Sequence, residues 1–111
     1  MSNDREFPRA RVKTEVKMFR WADTMVGHLT EVSANGLFVA AKETLPEGTL
    51  LTLRLLLPGV KRAFTVLGRV VRTARGGFFT PPGMGIRFLD ISAKDRELIS
   101  AFVSEHAVEF A

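Results

Sequence analysis

Residues 12–19, Val-Lys-Thr-Glu-Val-Lys-Met-Phe, alternate between two kinds of side chain along almost their whole length. The even positions carry apolar side chains or threonine, and positions 13, 15 and 17 carry charges. Because successive side chains of a β-strand point to opposite faces, a repeat of two is typical of a strand with one buried face. The sequence therefore predicts a half-buried strand here, with Val16 and Met18 facing a core.

More short strands are predicted further along the chain, with turn signals between them. They cover residues 24–32, 37–41, 49–57, 64–75 and 84–89. In the strand at residues 24–32, we expect Val26, His28, Thr30 and Val32 to share one face. Several short strands separated by glycine and proline turns are typical of a closed or nearly closed antiparallel barrel. The predicted fold class is therefore mainly β, a small six-stranded antiparallel β-barrel.

After the last predicted strand, the spacing of apolar residues changes from the repeat of two of a strand to the spacing of a helix. Ser92 and Asp95 have the spacing of a capping box, in which Ser92 caps a helix and Asp95 reaches back to it. Apolar residues then follow at helical spacing; they are Leu98, Ile99, Phe102, Val103 and Phe110. We expect one C-terminal helix, at about residues 92–107, with this stripe packed against the barrel.

The composition narrows the functional classes. The chain has 111 residues, which is room for one domain, and a formal net charge of +4 with eleven arginines against five lysines. Arginine binds phosphate and guanine edges in a bidentate manner, so this balance leans toward an anionic partner. From charge alone, however, a solvated surface that uses arginine is the stronger interpretation. There is no cysteine, no apolar run long enough to span a bilayer and no signal-peptide pattern. We therefore expect a cytoplasmic protein without membrane insertion.

The sequence contains no recognisable catalytic constellation. His28 and His106 have no metal-ligand spacing. The Gly83-Met84-Gly85 segment precedes a strand and not a helix, so close backbone packing explains it better than a phosphate loop does. We expect no catalytic residue, no metal and no cofactor, and therefore a protein that is not an enzyme.

Two short segments are better candidates for function. Residues 1–11 are polar and basic, contain Pro8, and read as an arm outside a core at residues 12–111. This arm carries Arg5 and Arg9, four positions apart. The second segment supplies a carboxylate, a hydroxyl and a turn; its candidate ligand-binding residues are Glu31, Ser33, Asn35 and Gly36. Arginine can pair with guanine O6 and N7 or with phosphate, and a carboxylate can accept from guanine N–H groups.

Together these segments resemble the PilZ domain family. The family pattern is RxxxR followed some twenty-odd residues later by [D/N]xSxxG. Here Arg5 and Arg9 match the first motif, while Ser33 and Gly36 match the second. Glu31 stands where the family has Asp or Asn, and Asp4 stands where many members have another arginine. The resemblance covers roughly residues 5–103 and implies a split-barrel type of six-stranded β-barrel with a C-terminal helix.

The resemblance also implies a function. Family members bind the bacterial second messenger cyclic di-GMP, order the arginine-bearing arm around it, and signal through a partner protein. On this basis we expect a cyclic di-GMP receptor that acts on an unidentified effector protein, with no DNA or RNA partner. The alternative is a PilZ-fold adaptor that binds no nucleotide and docks onto proteins in motility or polarity control. Phe78 and Phe79 are candidates for such a protein contact, or else anchors for their own loop.

Overall fold

The computed structural model describes residues 8–106, which form six strands and one helix. The strands are β1 (Arg9–Arg20), β2 (Asp23–Ser33), β3 (Gly36–Ala40), β4 (Leu50–Leu55), β5 (Phe64–Ala74) and β6 (Gly83–Asp90), and the helix is α1 (Ala93–His106). All strand pairs are antiparallel and close into a barrel in the order β1-β2-β3-β6-β5-β4. The predicted six-stranded barrel with one C-terminal helix is confirmed.

The first strand starts earlier than the sequence predicted. Arg9 pairs with Ser33 and Arg11 pairs with Glu31, so the last three residues of the predicted arm belong to β1. The physical reason is Ala10, which is fully buried between these two arginines and anchors this end of the strand in the core. Arg5 and the rest of the segment before Pro8 lie outside the described residues.

The alternation predicted for residues 12–19 holds where it meets the core, since Val16 and Met18 are fully buried. The face predicted for β2 is wrong. Val26 and His28 are exposed, whereas Gly27 and Leu29 face the interior. A register shift between Leu29 and Glu31 inserts one residue, which reverses the alternation and returns Val32 to the core.

Helix α1 packs against β1 and β2. Ile99, Phe102 and Val103 are its buried residues, as the predicted stripe required, while Phe110 lies outside the described residues. The Asp95 N–H donates to Ser92 Oγ at 3.0 Å, which confirms Ser92 as the cap. The Asp95 side chain pairs with Arg62 on the β4–β5 connection and not with the cap. No helix among residues 8–106 is long and apolar enough to cross a membrane.

Candidate functional site

A pocket lies on the barrel wall where β1 begins, β2 ends and β3 starts, and β5 and β6 close its other side. It encloses about 460 Å³, part of it open to solvent. Five of the six predicted site residues line it; they are Arg9, Glu31, Ser33, Asn35 and Gly36. The sixth, Arg5, lies outside the described residues. The β1–β2 and β2–β3 pairings thus bring two distant sequence segments to one site.

Arg9 and Glu31 form an ion pair across one side of this pocket. Arg9 Nη1 lies 3.5 Å from Glu31 Oε1, and both side chains remain about one-third exposed. Arg9 is directly opposite Ser33, so its side chain reaches diagonally along β2 to the carboxylate. The two groups that the sequence placed on opposite sides of a nucleotide therefore neutralise each other's charge.

Ser33 holds the β2–β3 turn. Its side chain is buried, and Ser33 Oγ lies 2.5 Å from Asn35 Oδ1 and 3.3 Å from the Gly36 carbonyl oxygen. The Asn35 N–H also donates to Ser33 Oγ, at 3.4 Å. A hydroxyl has one proton to donate, so the shorter contact with Asn35 takes it. Ser33 and Asn35 therefore shape the pocket floor, and phosphate binding by Ser33 Oγ would compete with this bond.

Gly36 is needed for close packing and not for a left-handed backbone. The glycines of residues 8–106 with positive φ are Gly48, Gly59 and Gly76. A Cβ on Gly36 would instead clash with the Ile86 carbonyl oxygen on β6. Gly36 therefore permits the close approach of β3 to β6, which closes the bottom of the pocket.

The far side of the pocket carries residues that the sequence analysis missed. Arg72 on β5, Arg87 on β6 and Phe38 on β3 all line it. The pocket thus contains three arginines and one carboxylate, an excess of positive charge suited to an anion. The missed residues have no motif of their own, since only the insertion of β6 between β3 and β5 brings them together.

The glycines of the Gly83-Met84-Gly85 segment have the packing role that the sequence predicted. A Cβ on Gly83 would clash with the Phe38 ring, and one on Gly85 would lie 2.9 Å from atoms of Arg72. Among residues 8–106, no group of three or more potential ligands could hold a metal ion.

A second exposed feature lies on the β5–β6 connection, away from the pocket. Phe78 and Phe79 have essentially fully exposed side chains, at 101% and 98%, and their ring centroids are 6.1 Å apart. The interpretation of these residues as anchors that fold back onto their own loop is therefore wrong. Two adjacent exposed phenylalanines remain a candidate contact surface.

Fold and pocket together define a class of protein, a small closed β-barrel with a C-terminal helix and an arginine-lined binding pocket. The PilZ domain model matches residues 3–105, so the chain belongs to the PilZ domain family. Comparison with curated protein sequences found no match.

Solved structures share this fold at low sequence identity. The inhibitor of motility MotI/DgrA from Bacillus subtilis superposes with a TM-score of 0.81 at 17% identity, over 90% of this chain and 49% of that one. The PilZ domain of YcgR from Escherichia coli, determined with cyclic di-GMP, gives a TM-score of 0.72 at 15% identity, over 93% and 91% of the two chains. This chain thus spans about half of the MotI structure and nearly all of the isolated YcgR domain.

Proposed function

We propose that this protein is a cyclic di-GMP receptor module that signals through a partner protein. The observation that carries the proposal is the convergence of Arg9, Glu31 and the Ser33–Gly36 turn on one pocket. These residues come from the two motifs of the family pattern, and their pocket has an excess of positive charge. The YcgR domain, which has the same fold, was determined with this nucleotide.

The proposed binding step exchanges one ion pair for another. Arg9 leaves Glu31 and donates to a ligand phosphate or to guanine O6 and N7, which are charge-assisted or bidentate contacts. The freed Glu31 carboxylate then accepts from guanine N–H groups. On the family pattern, Arg5 supplies a second clamp and the segment before β1 orders around the ligand. Because Glu31 competes for Arg9, the net affinity depends on how well the ligand replaces this pair.

The proposed output is a change in surface that an effector protein reads. In this proposal the barrel acts on its partner by presenting contacts. The exposed pair Phe78 and Phe79 is the surface that we assign to this partner, because aromatic residues are enriched at the centres of protein interfaces.

Titration calorimetry of the wild-type protein with cyclic di-GMP tests the proposal. At tens of micromolar protein, we expect saturable heat and no comparable heat with GMP, which has a single base and a single phosphate. The absence of heat with cyclic di-GMP would contradict receptor function and leave the adaptor that binds no nucleotide as the function of this fold.

A further inference from the structure

Three residues of the far pocket wall lie in one row across neighbouring strands. Phe38 on β3 pairs with Gly85 on β6, and Gly85 pairs with Arg72 on β5. Residues paired in this way point to the same face of a sheet. The side chains of Phe38 and Arg72 therefore project on the same side of the barrel wall, with the hydrogen atom of Gly85 between them.

Gly85 leaves the space that Arg72 occupies. A Cβ on Gly85 would lie 2.9 Å from both Cγ and Nε of Arg72, closer than such contacts normally allow. The arginine side chain therefore runs across β6 toward Phe38, and its guanidinium carbon lies 5.3 Å from the centroid of the Phe38 ring. This distance is within the range of a cation–π contact.

The arrangement fixes a planar cation at the pocket edge. Phe38 is half-buried and covers one side of the guanidinium, while Arg72 is otherwise exposed. Among residues 8–106, no carboxylate lies within 4.0 Å of Arg72. A guanidinium held in this way is available to a ligand and loses little conformational freedom when the ligand binds.

We propose that Arg72, supported by Phe38, is a stacking platform for one purine base of the bound nucleotide. Guanidinium planes and aromatic rings are surfaces on which nucleic-acid bases stack. The platform belongs to the barrel wall and does not depend on the segment that carries Arg5. This inference rests on the proposed function, because it assigns a further contact in the same pocket.

The decisive variant is Arg72→Lys, which retains the positive charge but removes the planar guanidinium. Because Arg72 is exposed, neither this variant nor Arg72→Ala removes buried contacts, and thermal melting monitored by circular dichroism should match the wild type. In calorimetric titrations with cyclic di-GMP, we expect both variants to bind about tenfold more weakly than the wild type.

Arg69→Ala is the matched control for charge. Arg69 is exposed on the same strand, lies opposite Arg87 and does not line the pocket. We expect the affinity of Arg69→Ala for cyclic di-GMP to stay within about twofold of the wild type, because Arg69 does not line the pocket and an exposed charge without direct contact contributes little. A spectroscopic readout supports the distinction, since a stacked base should shift the Nε–Hε resonance of Arg72 by its ring current.

The outcomes separate the inference from the proposed function. If the wild type binds and Arg72→Lys binds equally well, the contact is not stacking and the inference is overturned. It is also overturned if Arg69→Ala weakens binding as much as Arg72→Lys, because the effect is then one of general charge. If the wild type itself gives no heat, the proposed function fails and the platform fails with it.

Discussion

The two sides of the pocket hold their charges in different ways. On the side built by β1 and β2, Arg9 is already paired with Glu31 at 3.5 Å. On the side built by β5 and β6, no carboxylate among residues 8–106 lies within 4.0 Å of Arg72 or Arg87. In the proposed complex, the nucleotide displaces a carboxylate on the first side, whereas it meets arginines without an acidic competitor on the second.

This difference shows that recognisable motifs and available charge do not coincide. The side that carries the family motif is internally neutralised by the Arg9–Glu31 pair. In the proposed complex, the free energy that Arg9 contributes to binding is therefore the difference between its interaction with the nucleotide and its interaction with Glu31. The side without a motif contributes charge that is already accessible.

Arg9→Ala is expected to have the largest effect on ligand affinity, because Arg9 is the residue of the β1–β2 side that contacts the ligand phosphate or guanine in the proposed complex. Loss of a charge-assisted contact, with Glu31 left facing the anion, should weaken cyclic di-GMP binding by about 3 kcal/mol, roughly a hundredfold. Calorimetry at tens of micromolar protein should then give no measurable heat. The Arg9–Glu31 pair is partly exposed, so the melting temperature should change little.

Arg11→Ala serves as the control for Arg9→Ala. Arg11 is exposed on the same strand, two residues away, and does not line the pocket. If both variants weaken binding equally, the motif side acts only through its general charge and the proposed clamp is wrong.

Gly36→Ala should destabilise the fold, because the added methyl group would meet the Ile86 carbonyl oxygen. Overpacking of this kind typically costs about 1–3 kcal/mol. Chemical denaturation should show this loss as a lower midpoint with an unchanged slope. Gly77→Ala is the matched control, since a Cβ there would meet no atom within 4 Å. Equal midpoints for both variants would contradict the role of Gly36 in closing the pocket.

Glu31→Asp is expected to have the smallest effect, and in the favourable direction. The shorter side chain draws the carboxylate away from Arg9 and restores the acidic residue of the family pattern. We expect cyclic di-GMP to bind several-fold more tightly, a gain of about 1 kcal/mol, the typical size of one well-placed hydrogen bond. Titration calorimetry with cyclic di-GMP measures this gain. The control is Glu15→Asp, because Glu15 is exposed on β1 and does not line the pocket. Weaker binding by Glu31→Asp would show that the longer side chain fits the ligand.

The fold could be predicted from the sequence because hydrophobic alternation and turn residues are local signals. The alternation of residues 12–19 correctly placed Val16 and Met18 in the core. The face predicted for β2 was wrong for two reasons. A bulge inserts one residue, and the hydrophobic pattern gives no signal of it. The inward-facing residue at position 27 is also a glycine, which has no apolar side chain to indicate burial.

The candidate site could be predicted only in part. Arg9, Glu31, Ser33 and Gly36 were found because two motifs occur in a fixed order along the chain. Their physical roles were less accessible, since the contact between Gly36 and Ile86 depends on strand pairing. Arg72 and Phe38 were missed for the same reason, as they meet only across β6.

The position of β6 has a consequence for when this chain can become functional. Gly36 pairs with Arg87 and Phe38 with Gly85, so the pocket joins the third strand to the last one. A chain still lacking β6 during synthesis has no far wall and no complete site. Such late, long-range pairing is slow compared with hairpin formation. A ligand of this pocket would therefore stabilise only chains whose barrel has closed.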